Sequence, residues 1–129
     1  MKARHMYSRV GIEADLETMA DARQATKAVL QTLRDRLTPD EARHAAAQLP
    51  AELKRMWMTD DRRDRKPLKL HRREFYDRVK RQADLATVRK AELVTDAVFA
   101  ALKEQLSKGE ADDILTQLPR DLKAVWVHA

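Results

Sequence analysis

Glu41 and Glu110 are the carboxylates most suggestive of chemistry, because two acids placed alike in a chain can divide general acid and general base work between them. Each, however, stands three residues after a hydroxyl, in Thr38-Pro39-Asp40-Glu41 and Ser107-Lys108-Gly109-Glu110. That is the spacing of a capping box, in which the hydroxyl takes the N3 amide and the Glu reaches back to the cap's own N–H. The economical reading makes both glutamates caps of separate helices rather than a catalytic pair. His5, His44, His71 and His128 offer imidazoles, but no H-x-x-x-H or H-x-x-E spacing sets two ligands on one helix face. A metal site would need the fold to gather groups from distant parts of the chain. There is no cysteine, and Ser8 and Ser107 are the only serines, one of them a cap and neither within G-x-S-x-G. With two glycines the chain can write neither G-x-G-x-x-G nor a P-loop. No cofactor or metal is expected, and the residues read as those of a non-enzymatic protein.

A different chemistry is offered by Arg62, Arg63, Arg65, Lys66, Lys69, Arg72 and Arg73, with Arg78, Lys80 and Arg81 following. Residues 54–81 hold 12 Lys and Arg against 5 Asp and Glu, whereas the rest of the chain is slightly acidic and the whole carries +5. Clustered cations of this kind bind phosphate backbones by counterion release, without reading sequence. The bland alternative is a solvated linker, partly neutralised by Asp60, Asp61, Asp64, Glu74 and Asp77. No recognition-helix pattern, aromatic RNA platform or zinc-finger spacing accompanies the run.

The elements that must position these groups are helices. At 129 residues the chain makes one domain or two small halves sharing a core, burying roughly two-thirds of its unfolded surface. Asparagine is absent, glycine scarce, and Ala, Leu, Arg, Lys, Glu and Gln abundant, a composition that favours helix over strand. No apolar run approaches the roughly 20 residues of a membrane span, and no signal peptide opens the chain, so a cytoplasmic protein without membrane insertion is expected. His5-Met6 ahead of Tyr7 has the form of a cloning scar, and no function is built on residues 1–5.

The chain also repeats itself. Shifted by 69 positions without a gap, residues 1–60 lie over residues 70–129 with 22 identities. The clearest block sets Ala28–Trp57 over Ala97–Trp126, where 12 of 30 positions match. We therefore expect an all-α bundle of about eight helices, built from two four-helix repeats with approximate two-fold symmetry. Residues 1–60 and 70–129 are the repeats and 61–69 the basic linker. In each repeat a short helix buries Met6, Val10 and Ala14, or Phe75, Val79 and Ala83. Thr18 and Thr87 cap a long helix whose stripe runs Met19, Ala22, Thr26, Val29, Leu30, Leu33, Leu37 and, in the second copy, Val88 through Leu106. A third helix follows the capping boxes, and Pro50 or Pro119 ends it and opens a fourth carrying Trp57 or Trp126.

Gln48-Leu49-Pro50 and Gln117-Leu118-Pro119 recur with their flanks. Their amides could face a peptide or a base edge, but a feature duplicated with its hydrophobic frame is more economically a folding feature, the Gln satisfying orphan carbonyls at a helix end. Trp57 and Trp126 end apolar faces and read as core rather than as stacking platforms.

The pattern A-V-L-x-x-L-x-x-R-L-[ST]-x-x-E-A, then Q-L-P-x-x-L, then Phe75-Tyr76-Asp77-Arg78-Val79 and a second copy ending Q-L-P-x-D-L, resembles the bacterial domain-of-unknown-function family DUF2267, from about Tyr7 to Trp126. The resemblance implies an all-helical protein of two related halves and no particular activity. The leading functional expectation is a binding or adaptor module for a protein partner, held in a groove between helices. The alternative is sequence-independent nucleic-acid binding through the basic segment. Self-association into a homodimer is compatible with the duplication.

Overall fold

The computed structural model describes residues 2–129; Met1, the first of the N-terminal residues set aside above, lies outside them. Eight helices follow one another: α1 (Ala3–Glu13), α2 (Met19–Arg36), α3 (Pro39–Ala46), α4 (Ala51–Met58), α5 (Arg72–Gln82), α6 (Val88–Gln105), α7 (Lys108–Gln117) and α8 (Arg120–His128). Among the described residues there is no strand, and the protein is all-α. Each helix of the second half starts 69 residues after its counterpart, at 3 and 72, 19 and 88, 39 and 108, 51 and 120.

Local chemistry sets these boundaries. The hydroxyls of Thr18 and Thr87 accept from the Asp21 and Lys90 amides at 3.0 Å, and Thr38 and Ser107 do the same for Glu41 and Glu110 at 3.2 and 3.1 Å. α1 and α5 stop at Asp15 and Asp84, whose φ values of 53° and 52° place them in the left-handed region. The next amides, of Leu16 and Leu85, close back on the Gly11 and Lys80 carbonyls at 2.9 Å, so that aspartate fills the place glycine usually takes at a helix C-terminus.

The halves interlock. α1 packs on α2 and also on α6, α5 packs on α6 and also on α2, and α3 meets α7. Buried apolar side chains from all eight helices form one cluster, centred on Met6, Leu30, Leu33, Leu53, Trp57, Phe75, Phe99, Leu102 and Leu122. Phe99 joins Phe75 and Trp126 by edge-to-face contacts at 5.7 and 5.1 Å. The tryptophans are core: Trp57 and Trp126 are buried, and the Trp57 indole N–H donates to the Ala42 carbonyl at 2.9 Å. The stripes of the long helices begin one turn later than expected. Met19 and Val88 occupy first helical positions and stay exposed, and burial starts at Ala22 and Ala91. Residues 3–6 belong to α1, with Ala3 and Met6 buried, so this stretch is part of the folded unit.

Candidate functional site

The basic joint between α4 and α5 is tied down rather than loose. Its backbone is fixed where the Leu68 amide donates to the Asp35 carbonyl at 2.8 Å. Arg65, one of the seven candidate anion ligands, faces inward. Its guanidinium donates to the Leu37 and Arg34 carbonyls at 2.6 and 2.9 Å, where α2 runs out of intrahelical partners, and it pairs with Asp61. Asp61 also lies 3.8 Å from Arg34, which donates to Asp35 and to the Trp57 and Thr59 carbonyls at 2.9 and 2.7 Å. Arg78 completes the network on the other oxygen of Asp35 at 2.7 Å. Three guanidiniums and two buried carboxylates thus hold the joint against the ends of α2 and α4. Arg65 is withdrawn from the anion-binding set because these carbonyls and Asp61 occupy it.

The other six cations remain exposed. Arg62 pairs with Asp64 at 3.4 Å in open solvent, where such contacts are weak. Arg63, Lys66, Lys69, Arg72 and Arg73 make no side-chain ion pair among the described residues. Arg72 and Arg73 border a cleft of about 530 Å³ with Tyr76, Val88 and Glu92. The start of α5 is itself closed to anions, since Glu74 accepts from the His71 amide and Asp121 from the Arg72 amide.

A second place of interest was hidden from the sequence. The expected capping boxes on α3 and α7 form by half only. The amide of Thr38 donates not to Glu41 but to Gln117 Oε1 of the other half at 2.8 Å, and that of Ser107 to Gln48 Oε1 at 2.7 Å. Each Gln side-chain amide also donates back, to Thr38 Oγ1 at 3.3 Å and Ser107 Oγ at 3.2 Å. The Gln-Leu-Pro triplets are therefore structural, although they satisfy cap groups across the halves rather than carbonyls at their own helix ends.

Freed from capping, Glu41 and Glu110 come together in the seam between α3 and α7. Burial, with the hydrogen bond and charge of Glu41 and the charge of Asp113, pushes the Glu110 carboxyl up to about 8. His44, one turn beyond Glu41, reaches the same place: one ligand atom each from Glu41, His44 and Glu110 lie within 4.8 Å of one another. The expectation that these residues stay apart is overturned. The available signal was register, since Glu41-x-x-His44 and Glu110-x-x-Asp113 occupy matching positions. Only the packing of α3 on α7 makes that register meaningful.

The third feature is an apolar groove. Tyr7, Ser8, Gly11 and Ile12 of α1, Leu16 of the turn, and Met19 and Ala22 of α2 line a cleft of about 520 Å³, with Asp15 and Glu17 at its side. A second cleft of about 390 Å³, lined by His5, Arg9, Glu13 and Glu104, shares Ser8 and Ile12 with it. Ile12 is the ridge between them and is 81% exposed. In the second half, the positions of Ser8, Gly11 and Ile12 hold Asp77, Lys80 and Arg81.

Fold and site together define an all-helical bundle with a pinned basic joint, a buried acid seam and an apolar groove beside Ile12. A family model described as an uncharacterized conserved protein (DUF2267) matches residues 3–125, and the chain belongs to that family. No curated protein matches it. No helix among the described residues is long and apolar enough to cross a membrane.

Proposed function

We propose that the chain is a non-enzymatic binding module of two four-helix repeats, related by an approximate two-fold, that engages a protein partner through the groove of α1 and α2. The observation that carries this reading is Ile12, which at 81% is more exposed than Met19, Leu68, Val88 and Val127, the other large apolar side chains left at the surface, and which stands between two clefts with Met19 lining one of them. Asp15 and Glu17 at the side of the α1–α2 cleft fit an amphipathic partner segment with apolar anchors and a basic flank, whereas Glu13 is already paired with Arg9 at 3.3 Å. The repeats agree in their cores and diverge here, where one presents Ile12 and the other Arg81. Covering a side chain of this size contributes roughly 1.5–3 kcal/mol. The Ile12→Asp variant, compared with wild type in co-purification from cells, therefore loses its partner while its circular dichroism is unchanged. Retention of the same proteins by both overturns the reading.

A second reading is favoured by the anchoring of the joint. A strap held by Arg65 presents Arg63, Lys66, Lys69, Arg72 and Arg73 in fixed places, which lowers the entropic cost of contacting phosphates. If nucleic acid is the partner, affinity for double-stranded DNA falls by on the order of a thousandfold between about 50 and 200 mM salt. It is lost when Arg63, Lys66, Lys69 and Arg73 are changed to Gln. Absence of binding at low salt removes this reading and leaves the groove.

A further inference from the structure

The seam between α3 and α7 holds an acid pair that neither capping nor core packing accounts for. Glu41 and Glu110 are 9% and 6% exposed. The N–H groups that their carboxylates would have taken as capping boxes are occupied by Gln117 and Gln48. The Oε2 atom of each is shut away from solvent without a hydrogen-bond partner. A buried carboxylate persists only when it is protonated, paired with a cation or bound to a metal. No Lys or Arg side chain forms an ion pair with either acid among the described residues. The group that does approach is the imidazole of His44, a metal ligand in its neutral form.

We propose that Glu41, His44 and Glu110 form a binding site for one divalent first-row transition ion, held between the two halves of the chain. The geometry is near closure: the three ligand atoms lie within 4.8 Å of one another, and ligands sharing an ion through bonds of roughly 2.0–2.2 Å stand about 3–4 Å apart. His44 is exposed, on the solvent side of the two buried acids. One imidazole with two carboxylates is a mixed nitrogen and oxygen set that suits Zn²⁺ or Mn²⁺, whereas Mg²⁺ and Ca²⁺ favour oxygen alone. Three protein ligands leave a further position to water. Asp113, one turn beyond Glu110, adds negative charge that favours a cation here. The ion ties α3 to α7 and so acts on the joining of the halves. This inference is independent of the groove.

Isothermal titration of chelator-stripped protein with ZnCl₂ tests it, followed by thermal melts. One Zn²⁺ binds per chain, and free Zn²⁺ at about a hundredfold over Kd raises Tm by roughly 5–10 °C. Glu110→Gln and His44→Ala each weaken binding by on the order of a hundredfold. The Gln amide can donate to Glu41, so Glu110→Gln stays folded, as circular dichroism verifies. His71→Ala removes the imidazole 3.7 Å from Asp121 and leaves binding unchanged. The proposal is overturned if wild type shows neither heat nor a Tm shift, which would mean that a shared proton alone fills the seam. It is equally overturned if both substitutions leave the affinity intact, or if Mg²⁺ binds as tightly as Zn²⁺ regardless of His44.

Discussion

Arg65 stands in the middle of an exposed basic run and yet faces inward, joined to Asp61 and to the last carbonyls of α2. Its neighbours Arg63 and Lys66 are chemically alike and remain in solvent. Removing Arg65 leaves Asp61, whose side chain is 5% exposed, with only the distant Arg34 for company. Arg65→Ala is therefore expected to destabilise the protein by about 3 kcal/mol in urea unfolding, whereas Arg63→Ala leaves the midpoint in place. That distinction was not legible in the sequence, because the carbonyls Arg65 meets lie 28 and 31 residues away. Tyr7 gives a prediction in pH. Burial first, then the hydrogen bond and charge of Glu52, opposed by Arg23, push its phenol up to about 12. Burial, with the charges of Asp96 and Glu92 against those of Arg72 and Arg89, does the same for Tyr76. The folded state then holds these protons more tightly than the unfolded chain, whose tyrosines ionise near 10. This contribution to stability is fully present below pH 10 and is lost as pH rises through 12. An ultraviolet phenolate titration of the folded protein checks it, and ionisation of both rings near pH 10 contradicts it.

At the scale of elements the sequence was most readable. Hydroxyls at 18, 38, 87 and 107, prolines at 50 and 119, and apolar stripes at helical spacing all act over a few residues, and the helices fall where those signals place them. What stayed hidden is long-range. The Gln-Leu-Pro triplets announced a structural role, but the cap groups that Gln48 and Gln117 serve lie 59 and 79 residues away. The same blindness concealed the acid seam, since nothing local says that Gln117 and Gln48 displace Glu41 and Glu110 from their capping boxes. Each Gln makes two hydrogen bonds across the halves. We expect Gln48→Ala and Gln117→Ala each to cost about 1–2 kcal/mol by leaving a helix N-cap amide without its acceptor. The double variant should cost the sum of the two. Urea denaturation of the three variants measures this, and unchanged midpoints would show that water replaces the side chains at no cost.

Across the whole molecule, the eight helices fall into two sets of four whose starts are 69 residues apart, the same offset at which the sequence matches itself. The halves share a core because α1 leans on α6 and α5 on α2. A separate 60-residue half would expose that contact and be marginal alone. Charge is distributed with equal unevenness: cations gather at the joint, acids rim the α1–α2 groove, and Ile12 of one half answers to Arg81 of the other. Composition made the basic joint plain. The groove was not, because Ile12 reads as one more apolar residue of a helix until its exposure is known. The measurement that bears most directly on function places a photo-crosslinking residue at position 12 and, in a separate variant, at position 81. Irradiated in cells, the first is expected to capture one discrete protein partner and the second none. Capture of the same set from both positions, or of nothing from position 12, would contradict the groove as the working surface.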